Sequence, residues 1–323
     1  MARNPPEPQR LLDAAAIAAT LRRAARAAQP PWLHAEVARR MAERLAVIRL
    51  QPEWLLDWWG FSGAGGEVLA TAYPKAHRIV VEPTAALLQR SHAAAKRPWW
   101  TVQRWRGAGV DVLLDGAGHF GSRGLPLGAA RLGSADLPHG APLIWANMML
   151  HLECDPPALF ARWHELLQTE GVVIFSCLGP GTLRELRDLY ARLGWPAPTP
   201  AFVDMHDLGD MLVHAGFAGP VLDQETLTLH WATPQALLAE LRGLGANAAP
   251  DRHRGLRTPR WRNRLLNELQ SLAGPDGRLR LSFEVAYGHA FKAPPRIRKD
   301  EATRVSLADM RAMVRSRNSA RPA

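Results

Sequence analysis

A chain of 323 residues, 47% hydrophobic and 22% charged, has the balance of a globular protein and can bury a large core as one elaborated domain or two. No apolar run is long enough to span a membrane and the start is not a secretory signal, so the cytoplasm is the expected compartment. The net charge of +10 comes almost wholly from arginine and leaves three readings open: surface composition alone, nucleic acid, or an acidic protein partner.

In chain order, residues 1–33 form an Ala/Arg-rich arm, frayed or helical. Val37, Met41, Leu45 and Ile48 recur at helical spacing and predict a helix over 34–48. A short strand at 53–57 runs into the loop DWWGFSGAGG (57–66). A helix (67–74), a buried strand ending at Glu82 (77–83) and a second helix (84–96) follow, which is the β-α-β-α start of a doubly wound parallel sheet. Residues 97–140 carry no clear pattern. A buried strand is expected over 142–150. The helix over 154–171 should be capped by Asp155 with Pro156 in its first turn. A strand (172–180), a helix stopped by Gly194 (182–196) and a helix ended by Gly216 (204–217) come next. Residues 221–231 and 279–291 alternate apolar and polar side chains, as half-buried antiparallel strands do, and a helical insert, 234–273, separates them. A polar basic tail, 293–323, closes the chain.

Glycines after the first strand and an acid ending the second suit a nucleoside cofactor. Glycine lets backbone approach a ligand, and a strand-end carboxylate accepts hydrogen bonds from ribose hydroxyls. The dinucleotide pattern G-x-G-x-x-G fails: Gly63 and Gly65 are followed by Val68 where the third glycine belongs. His151, Glu153, Cys154 and His164 lack metal-ligand spacing, so no metal is expected, and the two cysteines read as ordinary buried thiols. Most tryptophans fall in apolar patterns and read as core.

The stretches SCLGPGTLRELRDLY (176–190), DMHDLGDMLVHAGFAGPVLDQETLTL (204–229), LLAELRGLGANAA (237–249) and GRLRLSFEVAYGHAF (277–291) resemble, in wording and order, the malonyl-acyl carrier protein O-methyltransferases of biotin synthesis, a class I S-adenosylmethionine-dependent family. The resemblance spans about residues 30–292. It implies an α/β, Rossmann-like, seven-stranded methyltransferase sheet with a helical covering insert. Asp57 matches the acid that opens the family's first loop, Glu82 its ribose-binding acid, and Asn147 the asparagine of its fourth-strand motif. With Gly60 and Gly63 these are the expected cofactor-binding residues. The adenine-side acid is either Asp111 or Asp115.

The family's loop pattern D-x-G-x-G-x-G is altered here. Aligned without gaps, Trp59 and Phe61 stand at the first two glycines and Gly63 remains. The two rings are expected to fill part of the methionine and ribose space, so that S-adenosylmethionine binds weakly or not at all. The expected function is methyl transfer to a carrier-bound malonyl carboxylate; the alternative is a catalytically inactive methyltransferase fold acting through protein binding. Ser176, Arg184, Arg187 and Arg242 are the substrate-side candidates, read otherwise as a strand-end turn serine and solvated helix-face arginines. Arg252, Arg254, Arg257, Arg260, Arg262 and Arg264, clustered around Trp261, could receive an acidic acyl carrier protein or form a solvated basic face; nucleic acid is the least expected partner.

Overall fold

The computed structural model describes residues 12–45, 48, 50–95, 109–115, 131–132, 140–245 and 247–294. The expectations for the first residues of the arm, for most of 97–140 and for the tail beyond Pro294 lie outside them. The described chain runs α1 (Ala14–Arg26), α2 (Trp32–Leu45), β1 (Trp54–Trp58), α3 (Gly60–Gly63), α4 (Gly66–Ala72), β2 (His77–Glu82), α5 (Ala85–Ala95), β3 (Val110–Asp115), β4 (Arg131–Leu132) and β5 (Ala141–Ala146). It continues through α6 (Pro156–Leu166), β6 (Leu167–Leu178), α7 (Arg184–Arg192), α8 (Met205–His214), β7 (Ala218–Trp231), α9 (Pro234–Leu244), α10 (Pro259–Gln270) and β8 (Leu279–Phe291).

The strands lie in one sheet in the order β4-β3-β2-β1-β5-β6-β8-β7. Strands β1 to β6 pair in parallel; β8 runs antiparallel between β6 and β7, with Trp231 opposite Leu279. Six strands fall where the sequence placed them, with the expected antiparallel pair at one edge; β3 makes up the seven that the resemblance implies, and the two-residue β4 is added at the other edge. Both faces are covered, and the pleat sorts side chains between them. Leu56 and Trp58 of β1, Ile144 of β5 and Val173 and Phe175 of β6 join one apolar cluster with Ile17 and Leu21 of α1 and Leu87 of α5. Leu55, Leu143, Trp145, Val172 and Ile174 join the other, with α2, α7, α9 and α10.

Three helices open alike. Asp155, Thr233 and Thr258 each accept a backbone N–H of the first turn, and each is followed by a proline that has no N–H to lose. The helix expected to reach residue 171 stops at Leu166, where the chain enters β6. The strand expected to reach 150 stops at Ala146; Met148 takes a left-handed φ of 52° and Leu150–Leu152 form a 3-10 turn. β3 emerges from the unpatterned stretch.

Gly288 lies opposite Phe175 across the β6–β8 pair, and a Cβ there would sit 2.4 Å from the tip of that ring. Gly288→Ala is expected to cost about 1–3 kcal/mol by overpacking. That is a melting-temperature drop of roughly 2–12 °C by thermal denaturation; an unchanged midpoint would mean that the ring moves aside freely.

Candidate functional site

The carboxyl ends of β1, β2 and β5 deliver the expected cofactor residues to one loop. Asp57 is buried near the end of β1, with Arg78 of β2 3.8 Å from its carboxylate. Glu82, wholly buried, accepts the backbone N–H of Phe61 at 2.8 Å and the Ser91 hydroxyl at 2.6 Å on the same oxygen, Oε1. Among the described residues its Oε2 is buried without a hydrogen-bond partner. Burial pushes the Asp57 carboxyl up to about 6 and that of Glu82 up to about 7, where a charged form is poorly solvated.

Between these acids the loop turns sharply. Trp59 stands in the left-handed region at φ 54°, ψ 44°, and opens the single turn α3. A β-carbon clashes there, so the conformation usually belongs to glycine. The chain therefore keeps a glycine-type backbone where the family places a glycine, while carrying an indole. That indole is buried in the cluster that holds Ile17, Leu21 and Leu87. Phe61 is half-buried, with the Arg90 guanidinium 5.0 Å from its ring centre. The remaining glycines serve close packing within the protein. A Cβ on Gly60 would lie 2.6 Å from Asp57 Oδ2, and one on Gly63 would lie 3.1 Å from the Asn147 carbonyl oxygen.

Asn147 braces the loop from below. Its amide donates to the carbonyls of Gly63 and His34, the latter at 2.8 Å, and its Oδ1 accepts from Ser176 Oγ at 2.6 Å. His34 Nδ1–H donates to the Ser62 carbonyl at 2.8 Å, and burial holds its pKa down at about 4, which keeps the ring neutral. His34 sits early in α2, far from any motif, and the sequence reading missed it. Of the two adenine-side candidates, Asp115 stands at the carboxyl end of β3 and pairs with Arg162. Asp111 stands near the other end, 2.8 Å from His77.

Beside the loop, between the sheet and the insert helices, lies a cavity of about 540 Å³. Leu33 and His34 of α2, Met148, Phe283 of β8, Leu186 of α7 and Leu238 of α9 build its walls. Its charged lining is Arg23, Arg242, Arg257 and Arg262, with no carboxylate among the described lining residues. Of the four sequence-predicted substrate residues, Arg242 lines this cavity and the other three do not. Ser176 is fully buried and spends its hydroxyl on Asn147. Arg184 is largely exposed beside Glu185, and Arg187 donates to the Pro180 carbonyl. The helix phase that turns Leu186 and Leu189 inward carries both arginines away from the cavity. Trp195 and Trp261 stack 5.0 Å apart near Arg257, whose guanidinium lies 4.4 Å from the Trp261 ring centre.

No family model matches the chain. Among curated relatives it is 38% identical, over 84% of its own length and 87% of the relative's, to the malonyl-[acyl-carrier protein] O-methyltransferase of Gallionella capsiferriformans (strain ES-2). It is 34% identical to the protein of that name from Laribacter hongkongensis (strain HLHK9), over 83% and 85% of the two chains. Among solved structures it is similar to a putative methyltransferase from Bacillus halodurans C-125, with a TM-score of 0.47 and 12% identity over 79% of this chain and 99% of that one.

Proposed function

The chain belongs to the malonyl-acyl carrier protein O-methyltransferase family, and on that premise we propose that it esterifies the free carboxylate of a carrier-bound malonyl group with a methyl from S-adenosylmethionine. The observation that carries this reading is the cavity: its apolar walls suit an acyl thioester arm, and four arginines without a carboxylate suit an anion.

The cofactor residues fit at the acid end. Glu82 Oε2, buried and unpartnered, is the acceptor that a ribose hydroxyl requires. Asp57 and the adjacent loop complete that side, with Asn147 as a positioning residue, since its own hydrogen-bonding groups are spent inside the fold. S-adenosylmethionine, when bound, supplies an electrophilic methyl on a sulfonium sulfur.

The remaining work is that of the chain. A malonyl carboxylate is already ionised at neutral pH, so no general base is needed. The protein has to align one carboxylate oxygen for in-line attack and keep water away, a task of orientation and entropy. Arg242 holds the second oxygen by a charge-assisted hydrogen bond. The leucine-lined walls exclude water. The neutral His34, tied to the loop carbonyl of Ser62, couples the loop to the cavity wall.

Methyl ester formation on malonyl-acyl carrier protein, followed by intact-protein mass spectrometry, tests the proposal; acetyl-carrier, which lacks the free carboxylate, must give none. Arg242→Ala is expected to raise KM for the malonyl substrate roughly 10- to 100-fold, the loss of a hydrogen bond to a charged group. A kcat loss at unchanged KM would remove Arg242 from substrate binding.

Two observations favour a second reading, a catalytically inactive fold that still binds the carrier. The Phe61 N–H occupies Glu82 Oε1, and an indole stands at a glycine position. On that reading the carrier binds while S-adenosylhomocysteine fails to bind even at millimolar concentration.

A further inference from the structure

The six arginines of 252–264 divide into two groups. Arg252 is pinned to Asp13 at 2.8 Å, and with the Asp13 N–H to Ala248 carbonyl bond, also 2.8 Å, it fastens the start of α1 to the insert. Arg257 lies against Trp261, and Arg264 lies 5.6 Å from the Trp195 ring centre, so both belong to the Trp195–Trp261 stack. Arg254, Arg260 and Arg262 are exposed, and among the described residues none has an acidic ion-pair partner. Amid them Leu256 projects with 99% of its surface exposed, the most exposed large hydrophobic residue of the described chain.

A leucine with no packing partner is uninformative when single and neutral in surroundings. Here Arg254 stands two residues before it and Arg260 four after it, both exposed and without an acidic ion-pair partner among the described residues, and it lies one residue from Arg257, which lines the cavity. A polar rim around an apolar centre is the anatomy of a protein interface, and unpaired arginines set the sign of its partner. We propose that Leu256, with Arg254 and Arg260, is the docking surface for an acidic helix of the carrier protein, which thereby places its acyl arm at the cavity mouth beside Arg257 and Arg262. This rests on the proposed carrier substrate. It assigns Arg252 and Arg264 to the fold of the insert rather than to the partner, and leaves Arg257 to the cavity.

The test compares Leu256→Asp and the double variant Arg254→Glu, Arg260→Glu with the parent. None of the three residues lines the cavity. Two substrates are used: malonyl-acyl carrier protein and the carrier-free malonyl-pantetheine. Leu256→Asp is expected to weaken holo-carrier binding about 30-fold, the level of an interface hot spot, by isothermal titration. The double variant slows association and flattens its salt dependence, because rim charges act through encounter. Both keep the parent's rate on malonyl-pantetheine within about twofold and its melting temperature, since the residues are exposed; Leu256→Met keeps carrier binding.

Carrier affinity equal to the parent's in both variants overturns the surface and leaves the methyltransferase reading intact. Methylation of malonyl-pantetheine by a parent that binds no carrier has the same consequence. A parent that neither binds carrier nor methylates malonyl-pantetheine overturns both. Tight duplex DNA binding that these substitutions abolish, with carrier binding untouched, shows the patch to be a nucleic-acid site and overturns the proposal.

Discussion

Glu82→Gln is expected to raise the stability of the ligand-free protein at pH 8 relative to the parent, to do so far less at pH 5, and to weaken S-adenosylhomocysteine binding roughly 10- to 100-fold. The carboxyl titrates near 7 in the folded chain against an ordinary 4.5. Between those values the folded state holds the extra proton. Its favourable contribution is therefore full below the ordinary value and is lost as the pH rises through about 7, by at most about 3 kcal/mol. Asp57, raised to about 6, shifts in the same direction and adds to the repulsion at Glu82. His34 acts oppositely: held near 4 against 6.5, it contributes stability above its ordinary value that is lost as the pH falls through about 4. The parent's own pH profile mixes these signs, so the informative quantity is the difference between variant and parent at each pH.

Glutamine keeps an oxygen for the Phe61 N–H and the Ser91 hydroxyl but carries an amide where Oε2 stood, and that amide cannot accept from a ribose hydroxyl. Thermal denaturation at both pH values reads the first effect, and isothermal titration the second. Unchanged affinity would remove Glu82 from the cofactor site.

The acid was legible in the sequence because a buried parallel strand ending in a carboxylate is a local pattern. So were the cap at Asp155 and the two alternating strands; β8 has the bounds that its alternation predicts. β3 was not legible: VDVLLD is short, and Gly109 and Gly116, which flank it, are only two of the many glycines of that stretch, so they do not single it out. Of the predicted substrate residues only Arg242 turned out to line the cavity. Its neighbours Arg23, Arg257 and Arg262 come from the opposite end of the chain and from the insert, and only packing brings them together. Ser176 illustrates the converse. Its position after β5's motif in space, not its place in a strand, decides that its hydroxyl goes to Asn147. Periodicity gives the buried face of α7 through Leu186 and Leu189, but it cannot tell whether the neighbouring surface is a cavity or solvent, and Arg184 faces the latter.

A gain of binding, rather than a loss, is expected from the loop. The double change Trp59→Gly, Phe61→Gly is expected to tighten S-adenosylhomocysteine binding at least about 10-fold, which is about 1.4 kcal/mol, while lowering the melting temperature. Two energies oppose each other at Trp59. Its left-handed backbone costs about 1–2 kcal/mol for a residue with a β-carbon, and glycine removes that strain. Deleting a buried indole costs about 3–5 kcal/mol in lost contacts and cavity. The net loss, about 1–4 kcal/mol, lowers the midpoint by several degrees and leaves the chain folded at room temperature. Phe61 differs, because it is half-buried and its side chain contributes less to the core. Phe61→Gly alone therefore tests access with little loss of stability. In both variants the backbone N–H at position 61 remains able to bond Glu82, so any gain in affinity comes from the space the rings vacate and from a loop free to move off the carboxylate. Micromolar binding by the parent, unaltered in the variants, would show instead that the left-handed turn at Trp59 already carries the backbone along the family's path, with the indole folded harmlessly into the core beneath it.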